Sequence, residues 1–489
     1  MKKLLSLLLV LGILIGAIYG VCRYLEASGQ LAVLKEKIRD LVYDTIQSLW
    51  EGRLPEPDAE PDPEPDAEPE PDPDPESESS PGSQPPAQPP EKPSGPGYDE
   101  DGRLVDPDEA LYALLYDAAI AFEEEVDIAH LGYTSAALEA EISRFFFANP
   151  ELFYVDNGYS VYTSAGESLV HKIKLRYLTT YDQAQTQLAF YNNVLDTVVA
   201  GIPDGASDFD KVLYLHDYLV QNYAYDYAGL AEENATGNPV AVRDAYTFFQ
   251  GKVGVCQAYM LGMIALCEEA GIPCLPVTSE EMEHAWNLVK LDGEWYHVDV
   301  TWDDAGGEQS AVYPSYISYK YFLLSGEALY NSGRTASWLA SESTQSNKYD
   351  AAVWRAVTTP LCKNGTEYFC VVYDTQENAP LLYRGTAVEM TACAELDARW
   401  YSTPPAYYQQ SWASVLLWED VMLISTAKGF LYYDAQTDTL SEAADLSLSL
   451  GNLQIFGVCD VEADGTVIFV AAANYMGAYV LGSWQIPTN

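Results

Sequence analysis

Two runs of alternating apolar and polar residues, 284–291 and 294–300, flank the dipeptide Asp292-Gly293. This pattern constrains the fold more than any other stretch, because Asp-Gly between alternating runs is the strongest short signal for a β-hairpin with a two-residue loop. Such a loop places His284 and Asp299 on one face of the hairpin as diagonal neighbours, roughly 5.5 to 8 Å apart at Cβ. A three-residue loop would turn Asp299 to the opposite face. The two-residue loop therefore predicts an imidazole and a carboxylate within bonding reach.

A helix is predicted just upstream, in the segment GVCQAYMLGMIALCEEAG, where apolar residues recur at helical spacing until Gly271 and Pro273 end the pattern. Cys256 then lies in the first turn. A helix N-terminus presents unpaired N–H groups and a partial positive charge, and both favour thiolate over thiol. Taken alone, a free cysteine is more often a small buried hydrophobic residue, so packing is the alternative interpretation of Cys256.

His284 and Asp299 are the residue types that a cysteine nucleophile requires, namely a base and a carboxylate that orients it. Alone, His284 is typical of a structural histidine and Asp299 of a turn or cap residue. Their combination with a cysteine at a helix start favours catalysis. We therefore interpret Cys256, His284 and Asp299 as a candidate catalytic set. The sequence predicts no cofactor, and no cysteine pair has zinc-knuckle spacing.

Four segments resemble the transglutaminase-like superfamily of papain-fold thiol enzymes: LHDYLVQNYAYD, GVCQAY, EHAWNLV and YHVDVTWDD. The resemblance implies an α+β fold, in which a helix carrying the cysteine packs on an antiparallel sheet carrying the histidine and aspartate. It also implies that Cys256 is the nucleophile, that His284 is the general base and acid, and that Asp299 orients His284.

The resemblance does not identify one of the two hydrogen-bond donors that would stabilise the oxyanion. The backbone N–H of Cys256 is the first donor, and the second is not assigned. Gln250 is one candidate, because it precedes Cys256 by the interval at which papain-type proteases carry an oxyanion glutamine. Animal transglutaminases have tryptophan directly after the cysteine, whereas this chain has Gln257. A polar residue at that place favours hydrolysis over transfer to an amine.

Three further polar residues invite a functional interpretation. His216 and Asp217 are adjacent on a predicted helix, and neighbours on a helix point about 100° apart, so a structural role is preferred to a second catalytic pair. His297 faces Leu288 across the hairpin. It could support the candidate site, but packing is the simpler interpretation.

Composition narrows the classes of function. The 489 residues contain 73 Asp and Glu against 25 Lys and Arg, a formal net charge of −48. A nucleic-acid backbone needs a basic face, so nucleic-acid binding is excluded, and adhesion to anionic lipid is disfavoured. Hydrophobic residues make up 48% of the chain, which is typical of globular domains with ample cores.

The N-terminal residues form three segments of different composition. Lys2 and Lys3 precede an apolar run from Leu4 to Cys22, which rises about 28 Å as a helix and is long enough for a bilayer core. Residues 1–25 are therefore predicted to be a signal anchor with a cytoplasmic N-terminus; a cleaved signal peptide is the alternative. Residues 26–53 suit an amphipathic helix. Residues 54–97 are an acidic, proline-rich linker that should remain disordered.

The folded region is expected to contain three parts: an N-terminal α/β part of the catalytic region at 98–200, a transglutaminase-like core at 201–345, and an all-β domain at 346–489. Helices are predicted at 107–126, 135–148, 181–200 and 209–223, and strands at 152–162 and 171–178. After residue 345, short aromatic strands recur about 50 residues apart, which is the period of propeller blades. Blade-like units are one option for this domain.

These observations predict a thiol enzyme with its folded domains outside the cell membrane, acting on amide bonds of proteins or cell-wall peptides. Peptidase or amidase activity is favoured over glutamine crosslinking. The alternatives are a secreted protein and a non-catalytic module that binds the cell wall or serves as a scaffold. Oligomeric state does not follow from the sequence.

Overall fold

The computed structural model describes residues 97–98, 104–105, 109–164, 168–304, 315–403, 406–475 and 477–487. All of them fall within one compact unit, so the boundaries expected near residues 200 and 345 stay predictions. The predicted anchor 1–25, the helix 26–53 and the linker up to residue 96 lie outside the described residues. Within the described ranges, no helix is long and apolar enough to cross a bilayer.

The N-terminal part combines two helices with a three-stranded sheet in the order β3-β5-β4. Its own hydrophobic core is built around Leu111, Leu138, Phe145 and Ile173. Its elements are α1 Glu109–Ala121, α2 Ser135–Ala148, the 3-10 turns Ala129–Leu131 and Pro150–Leu152, and the strands β1 Gly97–Tyr98, β2 Leu104–Val105, β3 Glu125–Asp127, β4 Ser160–Thr163 and β5 Val170–Lys174.

Three predictions for this part are wrong in their bounds. The strand predicted at 171–178 is β5, which ends at Lys174. The helix predicted at 107–126 ends at Ala121, because Phe122 adopts a positive φ of 58° and the chain then enters β3. The strand predicted at 152–162 is limited to β4. Its first half is instead a 3-10 turn followed by an Asx turn, in which Asp156 Oδ1 accepts the Gly158 N–H at 2.7 Å.

A helical layer packs on a four-stranded antiparallel sheet in the middle of the chain. The helices are α3 Tyr181–Val199, α4 Asp208–Asn222, α5 Tyr227–Thr236, α6 Ala245–Gly251, α7 Cys256–Glu269, α8 Val300–Asp303 and α9 Gly326–Asn331, and the strands are β6 Ala224–Tyr225, β7 Val253–Gly254, β8 Cys274–Ser279, β9 His284–Leu291, β10 Glu294–Val298 and β11 Phe322–Leu324. The sheet has the order β11-β10-β9-β8. Helix α7 is almost entirely buried, which makes it the central element of this part.

The hairpin β9–β10 confirms the predicted register. Leu291 pairs with Glu294 and Asn287 with Val298. Asp292 and Gly293 form the two-residue loop with φ of 53° and 86°, the left-handed conformations that such a turn requires. Strand β10 ends at Val298, however, two residues before the predicted end. The following residue, Asp299, caps the short helix α8 instead of continuing the strand.

The C-terminal part is all-β apart from one short helix and one 3-10 turn in the described residues, as predicted. Three antiparallel sheets follow one another in chain order, β12–β15, β18–β21 and β22–β24. The elements are the 3-10 turn Val353–Ala356, β12 Cys362–Asn364, β13 Glu367–Asp374, β14 Ala379–Gly385, β15 Met390–Glu395, β16 Tyr401–Thr403, β17 Ala406–Tyr407, β18 Val415–Trp418, β19 Val421–Ser425, β20 Gly429–Asp434, β21 Thr439–Asp445, α10 Ser447–Leu450, β22 Gln454–Val461, β23 Thr466–Ala472 and β24 Tyr479–Gln485. Blade-like repeats stay a prediction.

Candidate active site

Cys256 is the first residue of α7, as the sequence predicts, and its side chain is partly exposed. The preceding turn is fixed by a hydrogen bond from the Val255 N–H to the Val242 carbonyl oxygen at 2.9 Å. Gly254 is required in this turn, because a Cβ at this position would lie 2.6 Å from Ala258 Cβ and 2.7 Å from the Phe248 ring. The thiol therefore sits at the positive end of a buried helix.

His284 is the first residue of β9 and bridges the thiol and the carboxylate. Its Nε2 lies 2.7 Å from Asp299 Oδ2, and the Cys256 side chain is close enough to the ring to raise its pKa. Burial lowers the pKa of His284, but the charge and hydrogen bond of Asp299, together with the contact to Cys256, outweigh burial and raise the pKa to about 9. The structure thus brings all three predicted residues together, with Nε2 on Asp299 and Nδ1 left for the thiol.

Two tryptophans hold the imidazole plane. The Trp286 ring stacks on His284 with 5.5 Å between centroids, and Trp302 lies 5.1 Å away at a tilt. Trp286 is itself fixed, because its Nε1–H donates to Nδ1 of His297 at 3.0 Å. Burial lowers the pKa of His297 to about 3, so this ring stays neutral and can accept that hydrogen bond. His297 therefore supports the site through Trp286 while packing in the core.

Asp299 makes three polar contacts. Its Oδ1 accepts the Trp302 backbone N–H at 3.1 Å, and its Oδ2 accepts from both His284 and Arg334 Nη2, the latter at 3.3 Å. The Arg334 side chain is 4% exposed, and its guanidinium lies over the Trp302 ring. Arg334 and His284 thus share one oxygen of the Asp299 carboxylate. No sequence signal indicated it, because it follows Asp299 by 35 residues in an irregular segment.

The turn that carries Asp299 is tied to two helices through buried carboxylates. Asp303 Oδ2 lies 3.3 Å from Nε2 of His216 on α4, and Asp304 accepts a hydrogen bond from the Tyr259 hydroxyl on α7. Nδ1 of His216 lies 3.0 Å from Asp217 Oδ1. His216 is fully buried, which agrees with the structural role inferred from the sequence.

Tyr225 is a candidate residue that sequence reasoning missed, although it lies within the quoted segment LHDYLVQNYAYD. The parallel pairing of β6 with β7 places Tyr225 beside Gly254, two residues before Cys256. Burial and then the nearby Cys256 charge raise the pKa of Tyr225 to about 12, and the Cys256 backbone N–H opposes this rise. The hydroxyl therefore remains protonated at neutral pH, beside the first oxyanion donor.

Gln250 does not take the place considered for it. Its side chain is exposed on α6, and its amide donates to the Tyr246 hydroxyl at 3.1 Å. The structure thus favours Tyr225 over Gln250 as the second oxyanion donor. Across the described ranges, no group of three His, Cys, Asp or Glu side chains could hold a metal ion.

Comparison with known proteins agrees with this architecture. The model of the transglutaminase-like superfamily matches residues 196–300, which include Cys256, His284 and Asp299. Kyphoscoliosis peptidase from Mus musculus is 22% identical over 174 residues, 32% of this chain and 25% of that protein. The Homo sapiens protein of the same name is 24% identical over 153 residues, 28% and 22% of the two chains. The chain thus spans about a quarter of the length of these curated relatives.

Two solved structures are also similar over part of the chain. The crystal structure of a TGase covers 30% of this chain and 45% of its own, with 15% identity and a TM-score of 0.20. A candidate cysteine protease from Cytophaga hutchinsonii covers 29% and 61%, with 14% identity and a TM-score of 0.18. The family match therefore identifies residues 196–300 as a transglutaminase-like domain within this chain.

Proposed function

We propose that this chain is a thiol hydrolase that acts on amide bonds of proteins or cell-envelope peptides through an acyl-enzyme on Cys256. The observation that carries the proposal is the unbroken series of contacts from the Cys256 thiol through His284 to Asp299. A thiol at a helix start, a base in contact with it and a buried carboxylate behind the base are the parts of a nucleophilic triad.

In the acylation step, His284 holds the proton of Cys256, and the sulfur attacks the amide carbon. A C–S bond forms as the carbonyl π electrons move onto oxygen. His284 then gives the proton to the leaving nitrogen, and the C–N bond breaks to release an amine and leave a thioester. Asp299 keeps the imidazole oriented through Nε2, so that Nδ1 faces the reacting atoms.

Negative charge on the carbonyl oxygen requires preorganised donors. The Cys256 backbone N–H supplies one. We assign the Tyr225 hydroxyl as the second, because Tyr225 pairs with Gly254 beside the start of α7 and its pKa responds to the Cys256 N–H. When substrate binds, both groups donate to the oxyanion.

Deacylation by water gives hydrolysis, whereas attack by an amine gives crosslinking. In the hydrolytic step His284 takes a proton from water, the new C–O bond forms, and the C–S bond breaks to return the thiol and a free acid. Water at about 55 M prevails over a millimolar amine unless the amine is positioned with a large effective molarity. Gln257 occupies the position at which animal transglutaminases have a tryptophan. A polar side chain there excludes water less well than an indole ring does, which supports hydrolysis.

The test uses the full-length chain in mild detergent, incubated with a glutamine-containing peptide and a labelled primary amine. Release of free acid with little amine incorporation is the expected result. Predominant amine incorporation would replace the hydrolase with an acyl transferase. Cys256→Ala should abolish both products, and Cys459→Ala, which removes an exposed cysteine of the C-terminal part, should change neither. If Cys256→Ala leaves product formation intact, the proposed function is wrong.

We further propose that the chain is anchored with its folded region outside the cell. The support is the predicted anchor at 1–25, in which Lys2 and Lys3 precede the apolar run, and the acidic linker at 54–97. Protease added to intact cells should release a fragment that begins within the linker. Release that requires cell lysis would contradict this orientation.

A further inference from the structure

A cavity of about 420 Å³ opens at the start of α7, between the N-terminal α/β part and the loop before α6. Gln257 and Leu261, on successive turns of α7, form one wall, and Phe146 and Phe153 belong to the opposite one. Gln257 follows Cys256 directly in the chain. The cavity therefore reaches the first turn of α7, although Cys256 itself is not among its lining residues. Its volume is in the range of pockets that take small ligands or large side chains.

The charged groups around this cavity are already paired within the protein. Arg243 makes two hydrogen bonds to Glu233, at 2.8 and 2.9 Å, and Asp156 accepts from Arg176 Nε at 2.7 Å. The third charged lining residue, Asp244, caps α6 by accepting the N–H of Thr247 at 2.8 Å. These charged groups are therefore engaged within the protein, and most of the remaining lining is apolar.

Two apolar side chains of the lining are unusually exposed for their size. Leu178 is 64% exposed and Val240 is 43% exposed. Exposure of large apolar side chains at a concave site favours a partner that covers them. Within the described part of the chain, the Gln257 amide makes no hydrogen bond, so it can bind a peptide group at the mouth of the cavity beside Cys256.

We propose that this cavity is the specificity subsite of the enzyme, and that it takes a large apolar or aromatic side chain of a peptide substrate, one or two residues from the reacting carbonyl. The inference rests on the proposed function, because it takes Cys256 as the nucleophile. Acidic and basic side chains are disfavoured, because the lining offers them no unpaired opposite charge and would strip them of water.

Peptidyl acyloxymethyl ketones, which alkylate an activated cysteine, test the subsite without a known substrate. Acetyl-dipeptide probes carry Phe, Ser or Asp at either of the two positions before the ketone. The rate of alkylation of Cys256 in the full-length chain is followed by mass spectrometry. At one of the two positions, we expect the Phe probe to react at least about tenfold faster than the Ser or Asp probe. Binding of a large apolar group in an apolar pocket typically produces a rate difference of this size.

Val240→Asp should reduce this preference to less than threefold, measured as the ratio of the Phe rate to the Ser rate in the same variant. Val480→Asp is the matched control, since Val480 is similarly exposed, at 52%, on β24 and does not line the cavity. Equal rates for all three probes in the unaltered chain, or a preference that survives Val240→Asp, would overturn the subsite.

Iodoacetamide separates failure of the subsite from failure of the proposed function. This reagent has no side chain to place in the cavity, so its rate reports the thiol alone. Fast alkylation of Cys256 together with equal probe rates refutes only the subsite. Alkylation no faster than that of a simple thiol at neutral pH refutes the activated nucleophile, and with it the proposal that depends on it.

Discussion

Nε2 of His216 lies 3.3 Å from Oδ2 of Asp303, although the two residues are 87 positions apart. This contact ties the middle of α4 to the end of α8, the short helix that Asp299 caps. The same Asp303 carboxylate accepts the Tyr321 N–H at 2.9 Å and the Ser318 hydroxyl at 2.9 Å. A buried network thus holds the turn behind the candidate site.

We expect His216→Leu to lower the free energy of unfolding by roughly 3 to 5 kcal/mol, because it leaves the Asp217 and Asp303 carboxylates buried without their cation. His216→Gln keeps a hydrogen-bonding group and should cost less. Denaturant titration measures both. His130→Leu, which changes an exposed histidine, is the control and should have little effect. If His216→Leu loses no more free energy of unfolding than His130→Leu does, the proposed role of the network is wrong.

The same network predicts a pH dependence of stability. Burial lowers the pKa of His216, but its contacts with Asp217 and Asp303 outweigh burial and raise the pKa to about 9, above the usual value near 6.5. The stability from this imidazolium is therefore fully present below about pH 6.5 and is lost as the pH rises through about 9. The melting temperature should fall over this interval, and it should fall less in His216→Leu.

Asp299→Asn should lower kcat/KM by roughly 10³- to 10⁴-fold, since the amide neither stabilises the imidazolium nor fixes its tautomer. Asp292→Asn is a matched change in the hairpin loop, where asparagine tolerates the positive φ, and it should leave kcat/KM within about twofold. Hydrolysis of the glutamine peptide is the assay. Activity in Asp299→Asn close to that of the unaltered chain would remove Asp299 from the mechanism.

Tyr225→Phe should lower kcat by about 10²- to 10³-fold with KM little changed, which is the usual effect of losing one oxyanion donor. Tyr227→Phe removes a hydroxyl from the neighbouring ring, 4.8 Å away between centroids, and should have little effect on kcat. Steady-state kinetics distinguish the two. A rise in kcat for Tyr225→Phe would mean that the hydroxyl blocks the oxyanion site instead of forming it.

The fall of kcat/KM at high pH, its alkaline limb, should follow the deprotonation of the His284 imidazolium. Although burial lowers the pKa of His284, its contacts with Asp299 and Cys256 raise it to about 9, so the protonated ring persists through neutral pH and deprotonates near pH 9. Activity should therefore fall above about pH 9. Asp299→Asn should move this limb to lower pH in its residual activity, because the main charge that raises the pKa is gone. A limb that does not move would assign the ionisation to another group.

The sequence by itself determined the elements whose signals are local. The two-residue loop at Asp292-Gly293 set the hairpin register, and apolar spacing with Gly271 set the helix that begins at Cys256. That register predicted His284 and Asp299 within reach, but Asp299 lies one residue beyond β10 and meets the imidazole as the cap of α8. The order of the motifs was likewise enough to indicate the family.

Tertiary structure decided what depends on distant parts of the chain. The end of β10 at Val298, Arg334 at the Asp299 carboxylate and Tyr225 beside the Cys256 amide each require a contact between segments that no short pattern encodes. The apolar cavity beside Gln257 arises in the same way, where the N-terminal part meets the loop before α6. Local propensity and periodicity report neighbours along the chain, whereas ion pairs, stacked rings and cavities form only where packing brings remote side chains together.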